Sequence, residues 1–277
     1  MKDIFPHIYR KSNDGRGCYY LWFSAMHTRI DAMLVGHLSE DEFEPIGKEI
    51  CEAVHYIEHL ASCFDPASEL SKVNREAAEH PVETNEELIL ILRLCKEYYR
   101  LTGGLFDITQ TGQMDDLLLE SDRQVAFASP LKLNLSGFLK GYALENIRSI
   151  LSEHGISDAL VSIGQSSIMA IGSHSGTNGW EVVLSNGAAS TPPQEESGRK
   201  TVTLFDECLT TSGNNSDDRR HIVDTQTGEV IEGKRAVAVV TKSGIEGEAL
   251  STAFFIADAE RREQLKEQFG IKIVVEI

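Results

Sequence analysis

The chain has 277 residues, 41% of them hydrophobic, enough for a sizeable core in one large domain spanning residues 1–277 or in two intimate halves. Its 26 basic and 43 acidic side chains leave a formal net charge of -17 with no basic run, which argues against sequence-independent nucleic-acid binding, since that depends on neutralising phosphates. The five cysteines include no CxxC pair, which argues against a disulfide framework or a thiolate zinc site and leaves buried, reduced thiols as the expectation. The N-terminal stretch MKDIFPHIYRKSNDGRG has no apolar centre and does not read as a signal peptide. No window holds the roughly 18 consecutive apolar residues of a membrane span, so the chain as it stands reads as cytoplasmic.

In chain order, residues 18–36 read as two strands, aromatic-rich and then partly alternating. Ser39 and Glu42 form a capping-box pattern ahead of an apolar stripe at Phe43, Ile46, Ile50, Val54, Ile57 and Ala61, which predicts a helix. Pro45 is awkward past a helix's first turn and shifts the expected start to about Glu44. A second helix is predicted to open at the Thr84-to-Glu87 box, carry Leu88, Leu92, Cys95 and Tyr99, and stop at Gly103 and Gly104. Residues 110–130 read as a polar connection with an apolar patch at 117–119. A third helix is predicted over about 137–154, with Gly155 as its C-terminal signal. Apolar, β-rich runs follow at 159–163, 168–171, 180–184, 201–205 and 236–241, with a polar loop at 186–199. A helix near 248–257 and a final strand at 271–277 complete the reading. Strands and helices mix without strict βαβ alternation, which favours α+β over a doubly wound sheet, and no GxGxxG follows a strand.

One short string needs separate treatment. His55-Tyr56-Ile57-Glu58-His59 spells HxxEH, a zinc-peptidase signature, and histidines four apart share a helix face. The apolar stripe centres on Val54 and Ile57, however, so both histidines are expected on the solvated side of the helix rather than in a cleft.

Four ordered segments carry recognisable motifs. SELSKVN at 68–74 matches a loop of pattern S-x-L-S-x-x-N, and TGGLFDIT at 102–109 is similar to TGGAFD-x-T. LSGFLKGYALE at 135–145 resembles DLGGIAKGYAVD, and TSG at 211–213 with HIVDTQTG at 221–228 resembles the TSG and HI-x-D-P-x-TG segments. A weaker match sets EALSTA at 248–253 against DALATA. In this order the segments resemble those of the ApbE family of flavin transferases. The resemblance implies an α+β, T-fold-related architecture of mixed sheets with packed helices, and an active-site cleft between two intimate halves.

It also implies an activity: Mg2+-dependent transfer of FMN from FAD to a Ser or Thr hydroxyl of an acceptor flavoprotein, with AMP released. The alternatives are an FAD-binding relative without transfer activity and an FAD pyrophosphatase giving FMN and AMP. The nucleotide contacts implied by position are Met26, Thr28, Asn74, Leu105, Phe106, Asp107, Ser136, Gly137, Lys140 and His221. The implied Mg2+ ligands are Glu248, Thr252 and the carbonyl of Leu139.

The residues carry physical readings of their own. Ser136 and Gly137 are expected at a helix start, where free N–H groups and the dipole suit phosphate oxygens, with Lys140 adding a point charge. Glu248 and Thr252 lie four apart on a predicted helix, and hard oxygen donors of that kind suit a magnesium ion completed by phosphates and water. His221, with an ordinary pKa near neutrality, is the candidate proton acceptor. Phe106 suits either an aromatic ligand surface or the core. Departures from the family pattern are Glu248 for Asp, Asn134 for Asp, Ser136 and His27 for Gly, Gln165-Ser166-Ser167 in the GG-[DN] segment, and Thr225 for Pro.

Overall fold

The computed structural model describes residues 6–12, 15–119, 121, 123–174, 177–184, 200–213 and 236–276. From the N-terminus come β1 (His7–Lys11), β2 (Gly17–Ala25), β3 (Thr28–Gly36), α1 (Glu40–Ala61) and α2 (Glu69–Glu76). Next are β4 (Val82–Glu83), α3 (Glu86–Thr102), β5 (Thr109–Thr111), β6 (Leu117–Leu119), β7 (Gln124–Phe127), β8 (Lys132–Leu133) and α4 (Leu139–Glu153). The remainder is β9 (Asp158–Ile163), β10 (Ser167–Ile171), β11 (Trp180–Leu184), β12 (Lys200–Leu204), β13 (Glu207–Gly213), β14 (Ala236–Thr241), α5 (Gly244–Ile256), α6 (Ala259–Phe269) and β15 (Val274–Glu276).

Eight strands form one sheet in the order β1-β2-β3-β9-β10-β13-β14-β15, and every strand pair among the described residues is antiparallel. This is the α+β architecture expected from the unalternated order of elements. Period-two patterning sorts the side chains between the two faces. Ala159, Val161 and Ile163 of β9 join Leu21, Phe23 and Ile30 beneath α1, α3 and α4. Ile168, Ala170, Leu209, Ala238 and Val240 face the other way, under the β11–β12 hairpin. Val237 and Val239 pack with Leu250 and Phe254 of α5 and Leu265 of α6.

The α1 stripe is buried as expected. Its start is not where Pro45 suggested. The helix begins at Glu40, and Pro45 lies inside it. The Ser39 N–H and hydroxyl both donate to Glu42 Oε2, at 2.8 and 2.7 Å, which secures the first turn. The helix predicted from Thr84 is instead capped by Asn85, whose Oδ1 accepts from the Glu87 N–H at 2.8 Å, while Thr84 donates to Glu69 at 2.8 Å. The SELSKVN segment, expected as a loop, is helical as α2, because the Ser68 hydroxyl accepts from the Ser71 N–H and caps it. The connection at 110–130 contains the short strands β5, β6 and β7. Three of the five free cysteines, Cys18, Cys51 and Cys63, are only partly buried.

The pattern carried no signal for α6 or β13, nor for the short strands β1, β4 and β8. α6 is polar on nearly every face and buries only Leu265; its limits come from Asp258, which accepts from the Arg261 N–H at 2.8 Å, and from Gly270 at φ 64°. β13 was missed because its helix-facing side carries Thr210 and Ser212 in place of aliphatic residues. Among the described residues, no helix is long and apolar enough to cross a membrane.

Candidate functional site

Two of the resemblance-bearing segments, LSGFLKGYALE and EALSTA, meet where α4 packs on α5, beside the β2–β3 and β9–β10 turns. The β2–β3 hairpin turns through Met26 and His27, both left-handed at φ 53° and 57°. Such two-residue loops favour glycine or asparagine at these positions. Here the His27 ring instead lies edge-on to Phe64, with centroids 5.6 Å apart. A cavity of about 300 Å³ opens beside this turn, lined by Ser24, Ala25, His27, Thr28 and Glu58. Thr28 faces the β9–β10 turn so closely that a Cβ added to Gly164 would lie 2.7 Å from its Oγ1.

That second turn, Gly164-Gln165-Ser166, runs through left-handed backbone at Gly164 (φ 62°) and Gln165 (φ 62°). It delivers two hydroxyls to the junction of α4 and α5. The Lys140 ammonium donates to Ser166 Oγ at 2.5 Å and lies 3.9 Å from Glu248 Oε1. The Ser167 hydroxyl donates to the same Glu248 oxygen at 2.5 Å. Glu248 is only 4% exposed. Burial pushes its carboxyl above the ordinary carboxylate range, and the Lys140 charge and the Ser167 hydrogen bond work in the opposite direction.

The helices meet closely because their contact residues are glycines. A Cβ on Gly141 would lie 2.3 Å from the Gly244 carbonyl oxygen and 2.7 Å from Glu248 Cγ. Glu145 of α4 accepts from the Gly244 N–H at 2.7 Å, placing a carboxylate at the α5 N-terminus. One turn beyond Glu248, Thr252 Oγ1 lies 3.2 Å from Ser212 Oγ, which is itself 2.8 Å from Ser251 Oγ.

The remaining predicted site residues divide. Ser136 and Gly137 are exposed, and a Cβ on Gly137 would meet nothing within 4 Å. They do not begin the helix as expected: α4 starts at Leu139, after a turn over 136–138. One supposedly free N–H, that of Ser136, is taken by Asn134 Oδ1 at 2.9 Å. Asn134, standing where the resemblance has Asp, thus orders this turn. Phe106 is 2% exposed, in the core beside Phe138 at 5.7 Å, so of its two readings the core one describes its position. Leu105 is likewise buried, with Val237 and Phe254. Asp107 is half-buried and accepts from the Thr109 N–H at 2.7 Å; burial raises its carboxyl above the ordinary range. Asn74 engages both ends of its amide with the Leu133 backbone, at 2.9 and 2.8 Å, and so ties α2 to β8. His221 and the rest of HIVDTQTG lie outside the described residues.

Residue reasoning had not selected Ser166, Ser167, Ser212 or Gly141 as site members. The available signal was the Ser-Ser pair in the segment aligned with GG-[DN]. His55 and His59 are exposed, as the helix phase required, and face Glu58 at 3.7 Å and Asp65 at 3.1 Å. Among the described residues, no three His, Cys, Asp or Glu side chains cluster as a metal-binding group.

With this geometry in place, the comparisons identify the class. The ApbE family model matches residues 26–124 and 110–275, and the chain belongs to the ApbE family. An FAD:protein FMN transferase of Rhodobacter capsulatus is 27% identical over 179 residues, covering 60% of this chain and 32% of that protein. One from Chlamydia pneumoniae is 24% identical over 263 residues, 80% of each chain. Among solved structures, the flavin transferase ApbE of Vibrio cholerae superposes with a TM-score of 0.79 at 18% identity, covering 99% of this chain and 94% of that one. The apo flavinyl transferase ApbE of Pseudomonas stutzeri gives 0.78 at 20% identity, covering 99% and 95%.

The implied Mg2+ can be tested against this chain's own donors. Leu139 carbonyl, Glu248 carboxylate and Thr252 hydroxyl are hard oxygens, the type magnesium takes, and one carboxylate suffices where phosphates complete the shell. Gly141 leaves the room in which the longer Glu248 side chain lies, and that buried carboxylate has one hydrogen bond and a cation 3.9 Å away. In chemical type these donors suit the ion.

Proposed function

We propose that this chain transfers FMN from FAD to a Ser or Thr hydroxyl of an acceptor protein and releases AMP. The observation that carries the reading is the buried Glu248 with Lys140 and Ser167 about one carboxylate oxygen, at the junction of two family segments in an ApbE chain.

In this reading Lys140 binds a phosphate oxygen as a point charge, and its Ser166 hydrogen bond fixes the direction of approach. Ser136 and Gly137 offer exposed backbone beside it, and Met26 and Thr28 bound the flavin end. Leu139, Glu248 and Thr252 would hold Mg2+, which when bound neutralises pyrophosphate charge. The acceptor oxygen attacks the FMN phosphorus, the phosphorus–oxygen bond to AMP breaks, and AMP leaves with the bonding pair. The hydroxyl proton passes to a base, for which His221 remains the candidate. Positioning and charge neutralisation carry most of such an in-line displacement.

The test is incubation of the chain with FAD, Mg2+ and a peptide bearing an acceptor threonine, reading AMP release and peptide mass. AMP with a mass gain of one FMN is the expected result. AMP without the gain would assign hydrolysis instead, and neither product would overturn the reading.

A further inference from the structure

We propose that Lys140 is the resident counter-ion of Glu248, and that a divalent cation and a pyrophosphate enter this site only as a pair. The proposal rests on the flavin-nucleotide reading for the source of the pyrophosphate, but its core concerns the charge of the site itself.

Glu248 is almost wholly buried, and its ion-pair partner among the described residues is Lys140, 3.9 Å from Oε1. A buried carboxylate is costly unless it is paired and hydrogen-bonded. Ser167 supplies the hydrogen bond, and Ser166 holds the ammonium in place on the other side. The four groups make a locally neutral cluster about one carboxylate oxygen. A divalent cation arriving alone meets one carboxylate already neutralised by an ammonium, and would leave the site with two excess positive charges. A pyrophosphate diester arriving alone would leave two excess negative charges. Together they restore neutrality: the cation takes Glu248 and Thr252, and the phosphates take Lys140. Magnesium's reluctance to shed water sharpens the effect, because a single carboxylate already partnered by an ammonium gives little return for dehydration. Lys140 is thus a positioning residue twice over, holding Glu248 in the empty site and phosphate in the filled one.

By linkage, cation and nucleotide must raise each other's affinity by the same factor. The test uses Mn2+ on the full chain, its free fraction read by electron paramagnetic resonance and corrected for the Mn2+–ADP complex measured without protein, with ADP as the pyrophosphate probe. In the unsubstituted chain, ADP is expected to strengthen Mn2+ binding at least about tenfold, within the usual range for coupled sites. Lys140→Met removes the ammonium and keeps the stem's length; it is expected to strengthen Mn2+ binding in the absence of ADP by about tenfold and to shrink the ADP effect. Thermal melts establish that the variant is folded. Should Lys140→Met fold poorly, Ser166→Ala, which frees the ammonium from its hydroxyl, is expected to shift cation-only affinity in the same direction by a smaller factor.

Equal Mn2+ affinity with and without ADP, while ADP binds, would overturn the proposal. So would unchanged cation-only affinity in the folded Lys140→Met chain. Failure to bind ADP under any condition would instead sink the flavin-nucleotide reading, and the cation-only comparison would still decide the role of Lys140.

Discussion

Gly141 and Glu248 occupy one space: a Cβ on Gly141 would sit 2.7 Å from Glu248 Cγ, and 2.3 Å from the Gly244 carbonyl behind it. The carbonyl cannot yield without moving α5, so Gly141→Ala forces the two helices apart. Overpacking of this kind costs about 1–3 kcal/mol. The variant is expected to melt several degrees lower and to lose much of the coupling between Mn2+ and ADP, because Glu248 moves with its helix. A Gly141→Ala chain with unchanged melting temperature and coupling would contradict the close approach.

Asp107 connects stability to pH. Its folded carboxyl sits above the ordinary range because burial outweighs the hydrogen bonding from Thr109. A raised carboxyl binds its proton more tightly in the folded chain than in the unfolded one. Its contribution to stability is therefore present below the ordinary carboxylate value and falls as pH rises through the folded value. Asp107→Asn keeps an oxygen to accept the Thr109 N–H and removes the buried charge. The expected result is a variant more stable than the unsubstituted chain at neutral pH, seen as a higher Tm. The advantage should vanish near pH 4. Melting both chains across pH 4 to 8 checks this, and an advantage that grows on acidification would refute the sign.

Asn74 reports on architecture. Its amide closes two hydrogen bonds on the Leu133 backbone, and Leu133 is fully buried. Asn74→Ala leaves a backbone donor and acceptor without those partners, at a cost of about 1–3 kcal/mol. Denaturant unfolding should show that loss, while ADP affinity of the folded variant at low temperature stays within about twofold. A tenfold loss of ADP affinity in a fully folded variant would assign Asn74 a nucleotide contact as well.

The amphipathic parts of this chain were the most legible. The Phe43-to-Ile57 stripe, the α3 face and the apolar strand runs are local patterns, and period alone assigned them. β13 was illegible for the reason that makes it interesting: Thr210 and Ser212 occupy positions that an ordinary core strand would fill with aliphatic side chains. The site followed the same division. Lys140, Glu248 and Thr252 were named from a resemblance, whereas their partners Ser166, Ser167 and Ser212 come from segments distant in sequence, whose approach is set by sheet order β9-β10-β13. Phe106 shows the opposite case. A motif aromatic beside a helix stop suits ligand or core equally, and only its packing against Phe138 decides.

Gly164 and Thr28 set how the β9–β10 turn meets the β2–β3 hairpin. Gly164 is left-handed at φ 62°, and its missing Cβ would fall 2.7 Å from Thr28 Oγ1. Gly164→Ala therefore carries two costs, about 1–2 kcal/mol for the left-handed backbone and a further contact penalty. Thr28→Ala removes the offending hydroxyl and methyl but leaves the backbone cost untouched. In a double-mutant cycle the pair should be less destabilising than the sum of the singles, by about 1 kcal/mol, within the range for touching residues. The same turn carries Ser166, so Gly164→Ala alone should also loosen Lys140 and strengthen cation-only binding of Mn2+. Strict additivity in the cycle would mean that the turn relaxes freely, and that Thr28 does not fix the position of Ser166 beside Lys140.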